Sequence, residues 1–191
     1  MAINTNKCFA SLTALKYCQG TPVTPGVKKR AFYASVGNIV GWPTIPVDEL
    51  GRPTSAIYEG KFLLAEGIKW LPLDHLPGKA EFKSEAQGEE PSRTFKVTGS
   101  FLHPNIDENA STASTSLLNT RVVVLVEDMK GRWRVIGCEQ YDGALVSPSR
   151  DNGQGATGSA GTTIAVEADD PVDAPFYTGP IDTEDGIINE A

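Results

Sequence analysis

Apolar and polar residues alternate one by one through residues 93–102. Phe95, Val97 and Phe101 fall on one side, and Thr94, Lys96, Thr98 and Ser100 on the other. A period of two dictates an extended strand with one buried face and one wet face, the pattern of an antiparallel sheet. The same signature recurs along the chain, cut each time by glycine or proline. In residues 30–41, Phe32, Ala34, Val36 and Val40 oppose Tyr33, Ser35 and Gly37. Residues 56–73 read as a hairpin, with Tyr58, Phe62 and Leu64 on one face and Gly67 at the turn. Residues 122–126 are apolar on both faces, so they predict the most buried strand. Asp128-Met129-Lys130-Gly131 is a tight turn, and residues 132–140 pair back from it. Asp142-Gly143 turns into residues 144–146. A Ser, Gly, Asn and Thr loop follows over 147–161, and residues 162–168 form a last strand.

Between the strands, composition marks loops. Trp42 to Ser55 holds Pro43, Pro46 and Pro53, which forbid a central strand and most helix. Residues 77–91 are charged and read as a loop. Residues 107–118 are the one good helix candidate. Asp107 can cap it, Glu108 suits its first turn, and Ala110, Ala113, Leu117 and Leu118 recur at helical spacing. Its Ser and Thr content is poor for an isolated helix, so it is expected to pack as a lid across the sandwich. The sum is a mainly β chain: an antiparallel β-sandwich or half-barrel with one α-helix packed on it, an extended loop and terminal arms.

Charge divides the chain in a way its total of -7 conceals. Residues 1–47 hold Lys7, Lys16, Lys28, Lys29 and Arg30 and no acidic residue; residues 151–191 hold nine acidic residues and no Lys or Arg. The reading is a basic N-terminal arm (1–29, with at most one short helix over 10–17), a β-sandwich domain (30–168, with long loop 42–55 and helix 107–118), and an acidic C-terminal extension (169–191). Loop composition and opposite charge predict that removing 1–29 or 170–191 leaves the domain folded but impairs assembly. At 40% hydrophobic and 21% charged residues, the 191-residue chain is neither disordered nor built for a membrane. The acidic balance argues against a general nucleic-acid binder. The first 20 residues lack a signal-length apolar run, so export by a signal peptide is not expected.

Searches for chemistry return structural readings. Gly153-Gln154-Gly155-Ala156-Thr157-Gly158 matches G-x-G-x-x-G, but a strand follows it where a dinucleotide site needs a helix. Asp151-Asn152-Gly153 lacks the spacing of a calcium loop, because Thr162 stands where a bidentate Glu is needed. His75 and His103 have no ligand partner at helical spacing, and no nucleophile motif accompanies them. The acidic pairs 48–49, 89–90, 169–170 and 184–185 lie in loops rather than on rigid elements facing a cleft. Cys8, Cys18 and Cys138 are an odd count without a C-x-x-C pair, and read as packing residues in a reducing compartment. Lys28-Lys29-Arg30 beside Phe32 and Tyr33 is too small a cluster for nucleic acid and is expected to face solvent or protein. No cofactor, no metal and no enzymatic activity is expected.

The order of features over residues 93–179 resembles the tail tube proteins of tailed bacteriophages and related contractile tube systems. The stretch runs through a strand, a lone Ser/Thr-rich helix (107–118), a hairpin (122–138) and a Gly/Asn loop. It then continues through Gly161-Thr162-Thr163-Ile164-Ala165-Val166 and Ala174-Pro175-Phe176-Tyr177-Thr178-Gly179. Loop 42–55 takes the place of the family's long inter-ring loop. The resemblance implies a structural virion subunit: homo-hexameric rings whose sheets close a barrel around a lumen and stack into a tube. DNA passes through as non-specific cargo. Other tail proteins are partners, no membrane is involved, and the tail is assembled in the host cytoplasm. Ring stacking is heterologous and needs two unlike surfaces; the basic arm and acidic tail supply them. The expected assembly contacts are Lys28, Lys29, Arg30, Trp42, Asp169, Asp170, Asp173, Phe176 and Tyr177. The alternatives are another tail or head-tail ring component (terminator, connector or decoration protein), or a non-catalytic β-sandwich binding module with Trp42 or Trp70 as its stacking platform.

Overall fold

A computed structural model describes residues 12–155, 158 and 160–189. Cys8 and part of the short helix expected over 10–17 lie outside those residues; residues 12–17 have no regular structure and stand exposed. The first strand, β1 (Val27–Ser35), takes in the last three residues of the expected arm. The period of two then breaks at a single 3-10 turn, Val36–Asn38, before β2 (Ile39–Gly41). Residues 42–55 carry no strand or helix, as their prolines require.

The hairpin read over 56–73 does not form. Its residues supply β3 (Ile57–Tyr58), β4 (Leu63–Leu64) and β5 (Leu71–Asp74), each paired with a different distant partner. Strands this short have no periodicity of their own. The loop read over 77–91 is replaced by β6 (Ala80–Gln87), which pairs along its length with β7 (Thr94–His103). The charge that disguised β6 sits on its wet face: Glu81, Lys83 and Glu85 alternate with Ala80, Phe82 and Ser84.

Helix α1 (Glu108–Leu117) forms where expected, with the Asp107 carboxylate accepting from the Ala110 amide at 2.9 Å. Hydroxyls of Ser111, Thr112 and Thr115 donate to carbonyls four residues back, and Ser116 to one three back, so the poor helix formers are satisfied locally. Then come β8 (Val122–Asp128) and β9 (Trp133–Ile136), shorter than the 132–140 segment expected because Gly137 takes φ 104°. In the next turn, Gly143 (φ 72°) passes against the Val122 carbonyl and Val36, where a side chain has no room. The loop read from 147 onward is occupied by β10 (Leu145–Asp151), which tolerates Pro148 because it is an end strand. β11 (Gly161–Asp170) closes the sandwich.

The C-terminal segment is not an extension. It forms β12 (Phe176–Tyr177) and the hairpin β13 (Ile181–Thr183) with β14 (Gly186–Ile188). Val172, Ala174, Tyr177 and Ile181 are buried in the body.

These elements make a mainly β architecture, 46% strand and 7% helix, which bears out the fold class read from the alternation. A six-stranded sheet runs β3-β12-β9-β8-β1-β5, and a four-stranded sheet β10-β11-β7-β6. Val122, Val124 and Val126 of β8 join Val97, Phe101, Ile164 and Val166 in the core between the sheets. Val123 and Leu125 point the other way, into a second core with Phe32, Phe62, Trp70, Trp133, Tyr177 and Ile181. Both faces of β8 are buried because the loop region 42–70 and the C-terminal segment form a third layer over the six-stranded sheet. Gly99 faces the opposite sheet without room for a side chain, since a Cβ there would lie 2.8 Å from Ile136 Cδ1. Helix α1 spans the open side of the sandwich beside β10, burying Ala110 and Leu117.

Candidate assembly surfaces

The outer face of the four-stranded sheet follows from its register. Ser147 pairs with Ala165, Ala165 with Ser100, and Ser100 with Glu81; Glu167 pairs with Thr98, and Thr98 with Lys83. Strand alternation turns these residues, with Thr163, Lys96, Glu85 and Asp169, away from the core. The face is therefore mostly short hydroxyl and methyl side chains, with charge along one side and two larger apolar residues, exposed Leu145 opposite Glu167 and half-buried Leu102 opposite Thr163. Its lysines are already paired: Lys83 with Glu81 at 2.7 Å, and Lys96 with Glu167 at 2.6 Å. Glu85 and Asp169 leave the face net acidic; Asp169 accepts from Gln87 Nε2 at 2.6 Å.

The end strands β6 and β10 pair with no further strand among the described residues. All neighbours in the sheet are antiparallel. With an even number of strands, β6 and β10 run in opposite directions. A second copy rotated beside the first then meets β6 with an antiparallel β10, and the alternation continues across the junction. Charged residues on β6 blunt that edge against indiscriminate pairing.

The residues expected at assembly contacts divide into accessible and buried. Lys28, Lys29 and Arg30 lie on β1; Lys29 and Arg30 are exposed, while Lys28 is paired with Glu127 at 2.7 Å. Asp169 and Asp173 are exposed. Phe176 is half-buried and stacked by two guanidinium groups, Arg134 at 4.0 Å and Arg132 at 4.7 Å from its ring centre. Arg134 also donates to the Ala174 carbonyl at 2.8 Å, and burial beside Arg132 lowers its pKa. Trp42 is half-buried, edge-on to Phe62 at 5.5 Å.

Two expected contacts are corrected. Asp170 is 1% exposed and Tyr177 2%, so neither presents a surface to a partner. Tyr177 holds the third layer instead, its hydroxyl donating to the Pro180 carbonyl at 3.0 Å and accepting from the Phe62 amide at 3.2 Å. Trp70 is also buried, which removes it as a stacking platform.

Other candidates for chemistry occupy structural positions. His75 is buried against Phe101, and burial pushes its pKa down, so the ring is held neutral. His103 Nδ1 lies 2.7 Å from the Asp74 carbonyl. The Cys138 thiol is buried and pushed up to about 11, out of the range of a reactive thiolate. The Gly-rich stretch joins β10 to β11, with no helix in its described residues. Among the described residues, no three His, Cys, Asp or Glu side chains converge as a metal site, and no helix is long and apolar enough to cross a membrane. A groove of about 280 Å³ opens between α1 and β5, lined by Tyr33, Leu73, Ala113, Leu117, Asp74 and Asp107 among others.

Sequence reasoning missed this outer face because one of its four strands, β6, reads as a charged loop. Its signal was present: Ala80, Phe82 and Ser84 alternate with charge, without the β-branched residues that announce a strand. No family model, curated protein or solved structure matches the chain.

Proposed function

We propose that this chain is a structural subunit that assembles into closed homo-hexameric rings, and that the rings stack into a phage-type tail tube through which DNA passes. The observation that supports the reading is the four-stranded sheet: two end strands of opposite direction, unpaired among the described residues, and an outer face mostly of small polar and acidic residues. Head-to-tail association through β6 and β10 continues the sheet from copy to copy and removes its edges. The outer faces then line a lumen. Short side chains keep the bore smooth, and the acidic excess repels phosphate, so DNA slides without adhering. The basic first turn of β1, with Lys29 and Arg30 exposed, and the acidic positions Asp169 and Asp173 supply unlike surfaces for heterologous contact.

Native mass measurement and electron microscopy of the purified chain test this. Sixfold rings, and tubes of stacked rings at higher concentration, are the expected result. Single rings that never stack would move the chain to a terminator, connector or decoration role. A strict monomer at high concentration and low salt would overturn the reading.

A further inference from the structure

The N-terminal arm carries apolar side chains that its own domain does not cover. Leu12 is 93% exposed, Leu15 99% and Tyr17 73%. Leu12 and Leu15 are three residues apart, which puts them side by side on a single helical turn. Residues 12–17 have no regular structure here, as expected of so short a segment without a surface to fold on.

The body leaves a matching surface open. The groove between α1 and β5 has a volume of about 280 Å³ and an apolar floor of Tyr33, Leu73, Ala113 and Leu117. That volume suits one or two side chains rather than a drug-sized ligand. Its rim carries Asp74 and Asp107, with no Lys or Arg among its lining residues. The arm has the complementary charge: Lys16 lies between Leu15 and Tyr17, and residues 1–47 hold no carboxylate side chain. Apolar floor with acidic rim and apolar segment with lysine are a complementary pair. We infer that residues 12–17 of one copy dock in the α1–β5 groove of a second copy, a heterologous arm exchange. The inference rests on the self-assembly reading for its partner, and adds where the arm goes.

Cys18 follows the docking segment and is exposed, so it serves as a reporter. The test uses the full chain with Cys8→Ser, which leaves Cys18 the arm's one thiol, and Asn109→Cys at an exposed position on the groove rim. Tagged and untagged chains are mixed and treated with a short bismaleimide, and the native mass of the same sample is recorded. The expected result is cross-linking between tagged and untagged chains. It should fall at least tenfold when Leu12→Asp and Leu15→Asp are added, since burial of two leucines is worth more than one decade of affinity. Lys61→Cys, exposed in the third layer on the opposite face of the six-stranded sheet, should give only background. Cross-links confined within single chains would overturn the exchange. Oligomers without cross-links would overturn the docking and leave the ring standing, whereas a monomer without cross-links would overturn both.

Discussion

Asp170 ends β11 with its carboxyl group buried and only half satisfied. Oδ1 accepts from the Val172 amide at 2.8 Å, while Oδ2 has no hydrogen-bond partner. Burial pushes the group up to about 6 from its ordinary 3.8, against a smaller lowering by that amide. The folded chain thus holds this proton more tightly than the unfolded chain does. Below pH 3.8 the group costs nothing; as pH rises through about 6, folding loses about 3 kcal/mol at this site. Asp170→Asn keeps an acceptor oxygen and removes the ionisation. Urea unfolding of both chains at pH 4 and pH 8 should show the variant gaining about 2.5 kcal/mol on the parent between the two values; parallel curves would place the ionisation elsewhere. The position was legible by one further step of alternation. Ile164, Val166 and Ala168 point inward, so residue 170 shares their side and Asp169 does not. Reading residues 169–191 as one acidic tail hid that difference, because summed charge has no direction.

The elements that sequence placed well are those with their own period or cap: β7, α1 and β8. Those it misplaced take their structure from partners far along the chain. Phe176 and Tyr177 are only two residues, yet they join β9 on one side and β3 on the other. Tyr177 and Ile181 also fill the second core against Phe62, Trp70 and Leu125. No local pattern announces such a strand, since its hydrogen bonds and burial are supplied by residues about 40 to 120 positions away. The energetic consequence is direct. Losing Tyr177 alone, as a buried aromatic, costs about 3–5 kcal/mol, which is much of a small domain's stability. A chain ending at Asp169 is therefore expected to lose cooperative unfolding in a calorimetric scan. A chain starting at Val27 should keep it, because residues 12–26 are exposed and without regular structure. A C-terminal truncation that melts like the full chain would show that the third layer contributes no stability.

At the scale of the whole molecule, the proposed ring raises the question of which side of the four-stranded sheet would face inward. Residue size argues for the outer face: closing a sheet brings the inward side chains together, and Ser100, Thr98, Ala165, Ser147 and Thr163 are short enough to leave a bore. Charge argues the same way, and it can be reversed. Glu81→Lys, Glu85→Lys and Glu167→Lys lie on exposed positions of β6 and β11, where single substitutions typically shift stability by less than about 0.5 kcal/mol. Assembled particles of this variant should retain DNA that the parent releases, and lose it steeply as salt rises. The form of the DNA reports the geometry. A lumen is entered only by a free end, so preassembled variant tubes should capture linear duplex and ignore a covalently closed circle of the same sequence. A face on the outside of the particle has no such requirement, and equal capture of both forms would place the acidic sheet on the exterior.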